Sequence, residues 1–349
     1  MTGGEHGVGP SIGVGVIGLG FMGGVHLRAF DQAATDGIAV ETIAVWDHNE
    51  ERRRLGGAGV RGNITSTEDA PLFDPLRVRV DEDLASLLGD ASIDLVSICT
   101  PTDTHAELIT RALDAGKHVL VEKPVALESE VIRTLAREAR AADRIVMPAM
   151  CMRFWPGWRW LKERIDDREL GELLSLTLVR IGAPPSWSSD FYLDPSRSGD
   201  AIVDLHIHDA DCVRWLFGMP NAVSSVGSPR HLSTAYTFNG GPAMVVAEGG
   251  WMPTPSAPFQ MSYRACFERG VATFDIQRDP WLVLHTAGEV EHPEIPTGDG
   301  YDGEIRHLVA ALAAGRAPEA NLDEAAEVMD LIAFELESLR TGAKVTISS

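Results

Sequence analysis

Along the first 150 residues, short apolar runs alternate with stretches whose apolar positions recur every three or four residues. The runs at 12–17, 40–45, 93–99, 118–121 and 145–150 read as buried strands, with a weaker one at 77–80. Helical spacing fills the gaps, first through Val25, Leu27, Ala29 and Phe30, then over 49–56, 81–88, 104–115 and 128–142. Strand–helix alternation of this kind predicts an α/β unit with a parallel, doubly wound sheet. Turn formers crowd residues 56–75, which is long for a connection in such a sheet and predicts a surface excursion.

After residue 150 the rhythm changes. Residues 173–181 alternate Leu with Ser and Thr at strand period, and strand-like runs follow at 223–226, 244–252, 260–267 and 271–276. One helix is expected over 201–217. Ile305, Leu308, Val309 and Leu312 form a helical stripe, and 328–339 repeats it, with Asn321 and Glu324 as a candidate capping pair. The second half is therefore expected to be an α+β domain with a mainly antiparallel sheet. Helices on one face would leave the other open to pairing between subunits, as a homodimer or homotetramer.

Composition changes this picture little. The 349 residues suffice for two cores, and 44% hydrophobic with 23% charged residues is ordinary for a soluble chain. A formal charge of −21 argues against nucleic acid or an anionic membrane as partner. Cys99, Cys151, Cys212 and Cys266 lie far apart and form no C-x-x-C pair, so neither a zinc site nor a disulfide framework is expected. A reducing cytoplasm is the default. Residues 1–10 read as a flexible tail without the pattern of a signal peptide, and no apolar stretch is long and unbroken enough to span a bilayer.

Chemistry enters between the first two strands. Gly18-Leu19-Gly20-Phe21-Met22-Gly23 is a G-x-G-x-x-G that follows a strand and opens a helix, with Asp47 just past the second strand. The first glycine permits the turn, the second lets backbone approach a pyrophosphate, and the third lets helix lie close on strand. N–H groups at the helix start then face the diphosphate. Asp47 suits the ribose hydroxyls of NAD and repels the 2′-phosphate of NADP, while His48 and Arg52, Arg53 and Arg54 leave NADP open. The expected division is a tail at 1–10, a Rossmann dinucleotide-binding domain at 11–148, and a substrate and oligomerisation domain at 149–349.

Ligands of such sheets bind at the carboxyl ends of the strands, where Thr100, Pro101, His105, Glu122 and Lys123 fall. Lys123 is read either as a donor that stabilises a developing alkoxide beside the nicotinamide or as a solvated surface lysine. On the expected helix, Asp204 and His208 are four apart and share a face. A carboxylate beside an imidazole fixes its tautomer and raises its basicity, as a general base for an alcohol proton requires. The bland alternative is an acid-rich helix start with one buried histidine. His206, His208, Asp209 and Asp211 are dense in ligand types, so a metal site is weighed as the minor reading and none is expected. In Cys151-Met152-Arg153-Phe154-Trp155-Pro156, Arg153 is expected to reach the substrate. Trp155, Trp158 and Trp160 would wall the site or pack a hinge. Residues 184–199, with Trp187, Phe191, Tyr192 and Arg197, suit a loop over a hydroxylated ligand.

GLGFMG at 18–23, CTPTDTH at 99–105, AGKHVLVEKP at 115–124 and DLHIHDAD at 204–211 together resemble the GFO/IDH/MocA oxidoreductases, from Ile12 through the C-terminal helices. The resemblance implies a Rossmann domain, an open-faced sheet domain that makes oligomer contacts, and a cleft between them. It further implies Lys123, Asp204 and His208 as the catalytic group and a cis peptide before Pro124. Thr100, Pro101, His105 and Glu122 would lie along the cofactor. Two departures are visible: Ser198-Gly199-Asp200 replaces a run of glycines, and His206 stands where glycine is frequent. The implied function is NAD(P)-dependent oxidation of a secondary alcohol on a sugar or cyclic polyol. The rivals are a non-catalytic NAD-dependent sugar sensor and an NAD-dependent glycoside-cleaving enzyme.

Overall fold

The structure, a computed structural model, describes residues 11–56, 72–185, 189–254 and 256–347. It divides into two compact units. The first holds the described residues up to Val125, together with Arg133–Ala149 and Tyr301–Leu322. The second holds Ala126–Ile132, Met150–Gly300 and the chain from Asp323 onward. This division departs from the expected boundary near residue 148 at two segments: Ala126–Ile132 packs with the second unit and Tyr301–Leu322 with the first.

In the first unit β1 (Ile12–Ile17), β2 (Val40–Trp46), β3 (Arg79–Val80), β4 (Leu95–Ile98), β5 (His118–Val121) and β6 (Val146–Pro148) form one sheet. Its order is β3-β2-β1-β4-β5-β6 and every described pairing is parallel. Between the strands run α1 (Phe21–Thr35), α2 (Glu50–Leu55), α3 (Leu84–Gly89), α4 (His105–Asp114) and α5 (Ser129–Ala141). Local signals set these ends. Asn49 accepts the Arg52 N–H to cap α2, which stops at Gly56 in the left-handed region, and Asp83 accepts the Ser86 N–H to cap α3. Val14, Val16, Leu95, Ile98 and Leu120 are fully buried, as strands covered on both faces require. Most of the expected excursion at 56–75 lies outside the described residues.

The second unit runs through α6 (Pro156–Asp167), β7 (Leu173–Gly182), α7 (Ser189–Tyr192), α8 (Pro195–Ser198), α9 (Asp200–Asp204), α10 (Ile207–Phe217) and β8 (Ala222–Ser228). There follow β9 (His231–Thr237), β10 (Met244–Trp251), β11 (Gln260–Phe267), β12 (Gly270–Asp275), β13 (Leu282–His285) and β14 (Val290–Glu291). After α11 (Gly300–Ala313), α12 (Leu322–Thr341) and β15 (Val345–Thr346) end the described chain. The sheet order is β14-β13-β12-β11-β7-β10-β9-β8-β15, antiparallel except where β10 pairs with β7. β9 carries little sequence signal because its buried face reads Leu232, Thr234 and Tyr236, only one of them aliphatic.

Two expectations change here. The helix over 201–217 is broken: the N–H groups of Leu205 and His206 both reach back to the Ala201 carbonyl, at 2.8 and 3.0 Å, and α10 starts afresh at Ile207. Arg153 does not reach outward. It is 1% exposed and donates to Asp211 at 2.6 and 2.9 Å and to Glu324, whose other oxygen takes Arg214 at 2.7 Å. Glu324, expected to cap α12 with Asn321, is thus an ion-pair partner for two arginines. The tryptophans, read either as a wall or as packing, are packed. Trp155, Trp158 and Trp160 are buried, and Trp158 packs edge-on against Tyr263 and Phe274 at 5.3 and 4.7 Å between ring centroids.

A second buried pair, Arg180 Nη2 to Asp209 Oδ1 at 3.0 Å, ties β7 to α10. Breaking such a pair on one side strands a buried charge, whereas replacing both partners by apolar groups is often neutral. Arg180→Met should therefore lower unfolding stability by roughly 3–5 kcal/mol, and Arg180→Met with Asp209→Leu should recover most of the loss. Urea unfolding of the three proteins checks this; equal midpoints for single and double variants would refute it.

Candidate functional site

In the first unit the glycine turn has the shape its spacing predicts. Gly18 has φ +100°, and a Cβ there would lie 2.6 Å from the Cys99 carbonyl oxygen, so only glycine fits. A Cβ at Gly23 would overlap the Gly18 carbonyl, which is how α1 lies so close to β1. Gly20 is different: the nearest atom to its Cβ position is Arg52 Nη1 at 3.7 Å. Gly20 caps α1 with no side-chain hydrogen bond, and it, Phe21 and Met22 are all partly exposed. A helix start beside an uncrowded glycine fits a diphosphate.

Asp47 closes this turn from the end of β2. Its two oxygens accept the N–H groups of Leu19, at 2.7 Å, and Asn49, at 2.8 Å, and the residue is 2% exposed. His48 Nδ1 lies 3.2 Å away and Arg52 Nη1 3.8 Å away, so a carboxylate, an imidazole and a guanidinium share the end of one strand.

The loops after β4 and β5 are joined from beneath. Thr100 and Pro101 follow β4, partly exposed; the Thr100 hydroxyl bonds Thr104 at 2.7 Å, and its methyl lies 3.1 Å from where a Gly18 Cβ would stand. His105 is 1% exposed, with its ring nitrogens 2.8 Å from the Thr100 carbonyl and 2.9 Å from the Pro124 carbonyl. The ring thus lies between the two loops and faces one carbonyl of each. Burial pushes its pKa below the ordinary histidine value against the opposing pull of the Thr100 and Pro124 carbonyls.

Glu122 is also buried, at 6% exposed, and faces inward. One oxygen meets His26 Nε2 at 3.0 Å, while the other accepts the backbone N–H of Lys123 at 3.1 Å. His26 Nδ1 meets Ser97 Oγ at 2.8 Å, and Glu304 on α11 lies 3.8 Å from Nε2. Glu122 therefore links α1 to the Lys123 backbone. Lys123 itself is partly exposed, and the Lys123–Pro124 peptide is cis, as the resemblance implies.

In the second unit the 204–211 motif separates by burial. His206, Asp209 and Asp211 are at most 1% exposed, and each faces a partner on another element: Glu335 and Tyr236, Arg180, and Arg153. Asp204 and His208 are the two polar members that keep partial exposure. Among the described residues no group of three or more His, Cys, Asp or Glu could hold a metal ion. Asp200 adopts φ +64° after Gly199 at φ +74°, the left-handed region natural to the glycines it replaces. Its side chain offsets that by accepting the Ala201 N–H at 3.0 Å and meeting Arg230 Nε at 3.3 Å. Trp187 lies outside the described residues.

Sequence reasoning missed His26 and Glu335. Each is a buried polar residue on a mostly apolar helix face, and nothing local marks its distant partner.

A strand order of 3-2-1-4-5-6 with a glycine turn opening α1 defines a dinucleotide-binding Rossmann unit. Residues 12–150 match the oxidoreductase family with NAD-binding Rossmann fold, and residues 158–252 match the GFO/IDH/MocA C-terminal domain. The chain belongs to the GFO/IDH/MocA family. Inositol 2-dehydrogenase of Rhizobium meliloti is 38% identical over 204 residues, 58% of this chain and 54% of that protein. The scyllo-inositol 2-dehydrogenase (NAD(+)) of Bacillus subtilis is 33% identical over 183 residues, covering 47% and 52%. The chain thus spans about half the length of these curated relatives. Levoglucosan dehydrogenase, solved with NADH and levoglucosan, shares the fold at TM-score 0.79 and 22% identity, over 97% of this chain and all of that one. No described helix is long and apolar enough to cross a membrane.

Burial alone would depress the His26 imidazole, but Cys99 and Glu122 outweigh it and raise its pKa well above the ordinary value. A raised folded value means His26 contributes stability below its unfolded pKa, about 6.5, and loses it as pH rises through the folded value. The stability gap between wild type and His26→Gln should therefore be full at pH 5.5 and shrink on the alkaline side. Urea midpoints at stepped pH test this; a gap that widens with pH would contradict it.

Proposed function

We propose that this protein is an NAD-dependent dehydrogenase that oxidises a secondary alcohol of a sugar or cyclic polyol, or reduces the corresponding ketone. The observation that carries the reading is the division of the 204–211 motif. Its other polar residues are buried in pairs, while Asp204 and His208 keep the accessibility that proton transfer to a substrate needs. The names of the relatives support the substrate class.

In the oxidative direction the His208 imidazole takes the hydroxyl proton. The Asp204 carboxylate holds the ring in the tautomer that can accept it and favours the imidazolium that forms. The Lys123 ammonium stabilises the oxygen as its proton leaves, and the Glu122 contact to the Lys123 N–H fixes the backbone from which that lysine extends. Bound NAD would accept the hydride from the carbinol carbon. Gly18, Gly20 and Gly23 with the start of α1 would hold its diphosphate. Asp47, with lone pairs beyond those that Leu19 and Asn49 use, would accept a ribose hydroxyl. Arg52 beside it gives NADP a weaker foothold. We also read the face of the large sheet that bears Thr177, Val179 and Val246 as the surface that pairs subunits, and the cytoplasm as the site of action; these three residues are partly exposed.

Nicotinamide reduction across a panel of inositols, sugars and sugar acids tests the main reading. His208→Ala should lower kcat/KM roughly 100- to 10,000-fold, and Lys123→Met about 100- to 1,000-fold, with nucleotide binding intact. A chromogenic glycoside cleaved without net reduction would instead favour glycoside cleavage, and tight binding with no turnover a sensor.

Asp47→Ser should weaken NAD and raise the kcat/KM ratio of NADP to NAD, and Arg52→Ala should lower that ratio. An unchanged ratio in both would remove the assignment at this strand end. Light scattering should find a dimer or tetramer; a monomer would remove the subunit reading.

A further inference from the structure

The break between Asp204 and His208 has a buried cause. The Ala201 carbonyl accepts both the Leu205 N–H, four residues on, and the His206 N–H, five residues on. The Asp209 and Ala210 N–H groups then return to the His206 carbonyl at 2.9 and 3.0 Å. The i−5 bond of His206 thus closes a wide turn at the end of α9, and the i−3 bonds from His208 to Leu205, at 3.4 Å, and from Asp209 to His206 open α10 tightly, so His206 stands where the wide turn meets the new helix. Its backbone has ordinary helical angles, φ −69° and ψ −21°, so the turn places no demand for glycine there.

What holds the turn is the side chain. The His206 imidazole is fully buried, with Nε2 2.9 Å from Glu335 Oε2 on α12 and 3.3 Å from the Tyr236 hydroxyl on β9. That hydroxyl donates to the other Glu335 oxygen at 2.7 Å, so three buried groups close on one another. From β10 the ring is met by a glycine. A Cβ at Gly249 would stand 2.5 Å from His206 Nδ1 and 2.8 Å from its Cβ. The imidazole thus fills space that every other residue at 249 would claim. Asp209 and Arg180 are the remaining charges felt by the ring. Burial lowers its pKa, and the Glu335 and Asp209 carboxylates more than reverse this, which favours a charged His206 against Glu335. Buried ionic groups have their best-attested use in setting register.

From this geometry we infer that His206, clamped by Glu335, Tyr236 and Gly249, is a positioning residue that fixes the wide turn and thereby the register of Asp204 to His208. The inference rests on the reading of those two residues as the proton-transfer pair.

The test is steady-state kinetics of His206→Gln, Gly249→Ala and the double variant His206→Gln/Glu335→Gln, with nucleotide binding and thermal melting measured on each. His206→Gln should lower kcat ten- to a hundredfold while KM stays within about threefold and nucleotide affinity is unchanged. Gly249→Ala keeps the histidine but claims its space, and should reproduce the kcat loss. The double variant replaces an ion pair by two amides that can still bond, and should recover at least a third of wild-type kcat. If His206→Gln keeps kcat within threefold, the inference is wrong. If kcat, KM and melting all fall together and the double variant recovers nothing, His206 is a packing residue only. A His208→Ala control with wild-type turnover would instead overturn the proton-transfer reading, and this inference with it.

Discussion

A charge taken out of water needs a partner of opposite sign or it destabilises the fold by several kcal/mol. α10 and the turn before it carry that requirement at three positions within six residues. Asp209 answers Arg180 on β7, Asp211 answers Arg153 just past β6, and His206 answers Glu335 on α12. Three different elements therefore grip one short helix, and none can slide without stranding a charge. The two polar residues left partly exposed, Asp204 and His208, are presented by a segment locked on its buried side. The buried pairs on that side fix the segment that carries them.

The same logic appears in the first unit at the ends of β4 and β5. Lysine and threonine side chains that a ligand would meet sit on loops, and loops are the mobile parts of an α/β fold. Here their backbones are held from within. His105 bridges the Thr100 and Pro124 carbonyls, and Glu122 ties the Lys123 N–H to His26 on α1. At the opposite, amino ends of β4 and β5 the Lys117 ammonium bonds the carbonyls of Asp90 and Ile93 at 2.7 Å each. α1 is therefore more than a nucleotide-facing helix, since one of its residues also anchors the strand end that bears Lys123.

Much of this was legible in the chain. The strand and helix rhythm of the first 150 residues yields β1, β2, β4, β5 and β6 to within a few residues, because buried parallel strands are continuous apolar runs. Gly18 and Gly23 were readable because each answers a local steric demand, and Gly20 because the spacing of the motif places it at the uncrowded start of α1. What was not legible depends on distant partners. Arg153 looks like a ligand-reaching cation until Asp211, 58 residues away, is beside it. Trp158 looks like a cleft wall until Tyr263 and Phe274 close on it. The helix over 201–217 looks continuous because nothing in its own sequence reports that Glu335 and Tyr236 will hold His206 at a widened turn.

The sequence by itself determined the class of fold, the glycine turn with its acidic neighbour, and which residue types stand at the strand ends. These follow from periodicity and from local backbone sterics, which act over a few residues. Only the tertiary structure decided which charges in the 204–211 motif are occupied by buried pairs and which keep access to solvent. It also decided that Glu122 and His105 brace loops from within, and that Tyr301–Leu322 packs with the first unit. Burial and ion pairing are set by residues far apart in the chain, so their outcome exists only once the chain has folded.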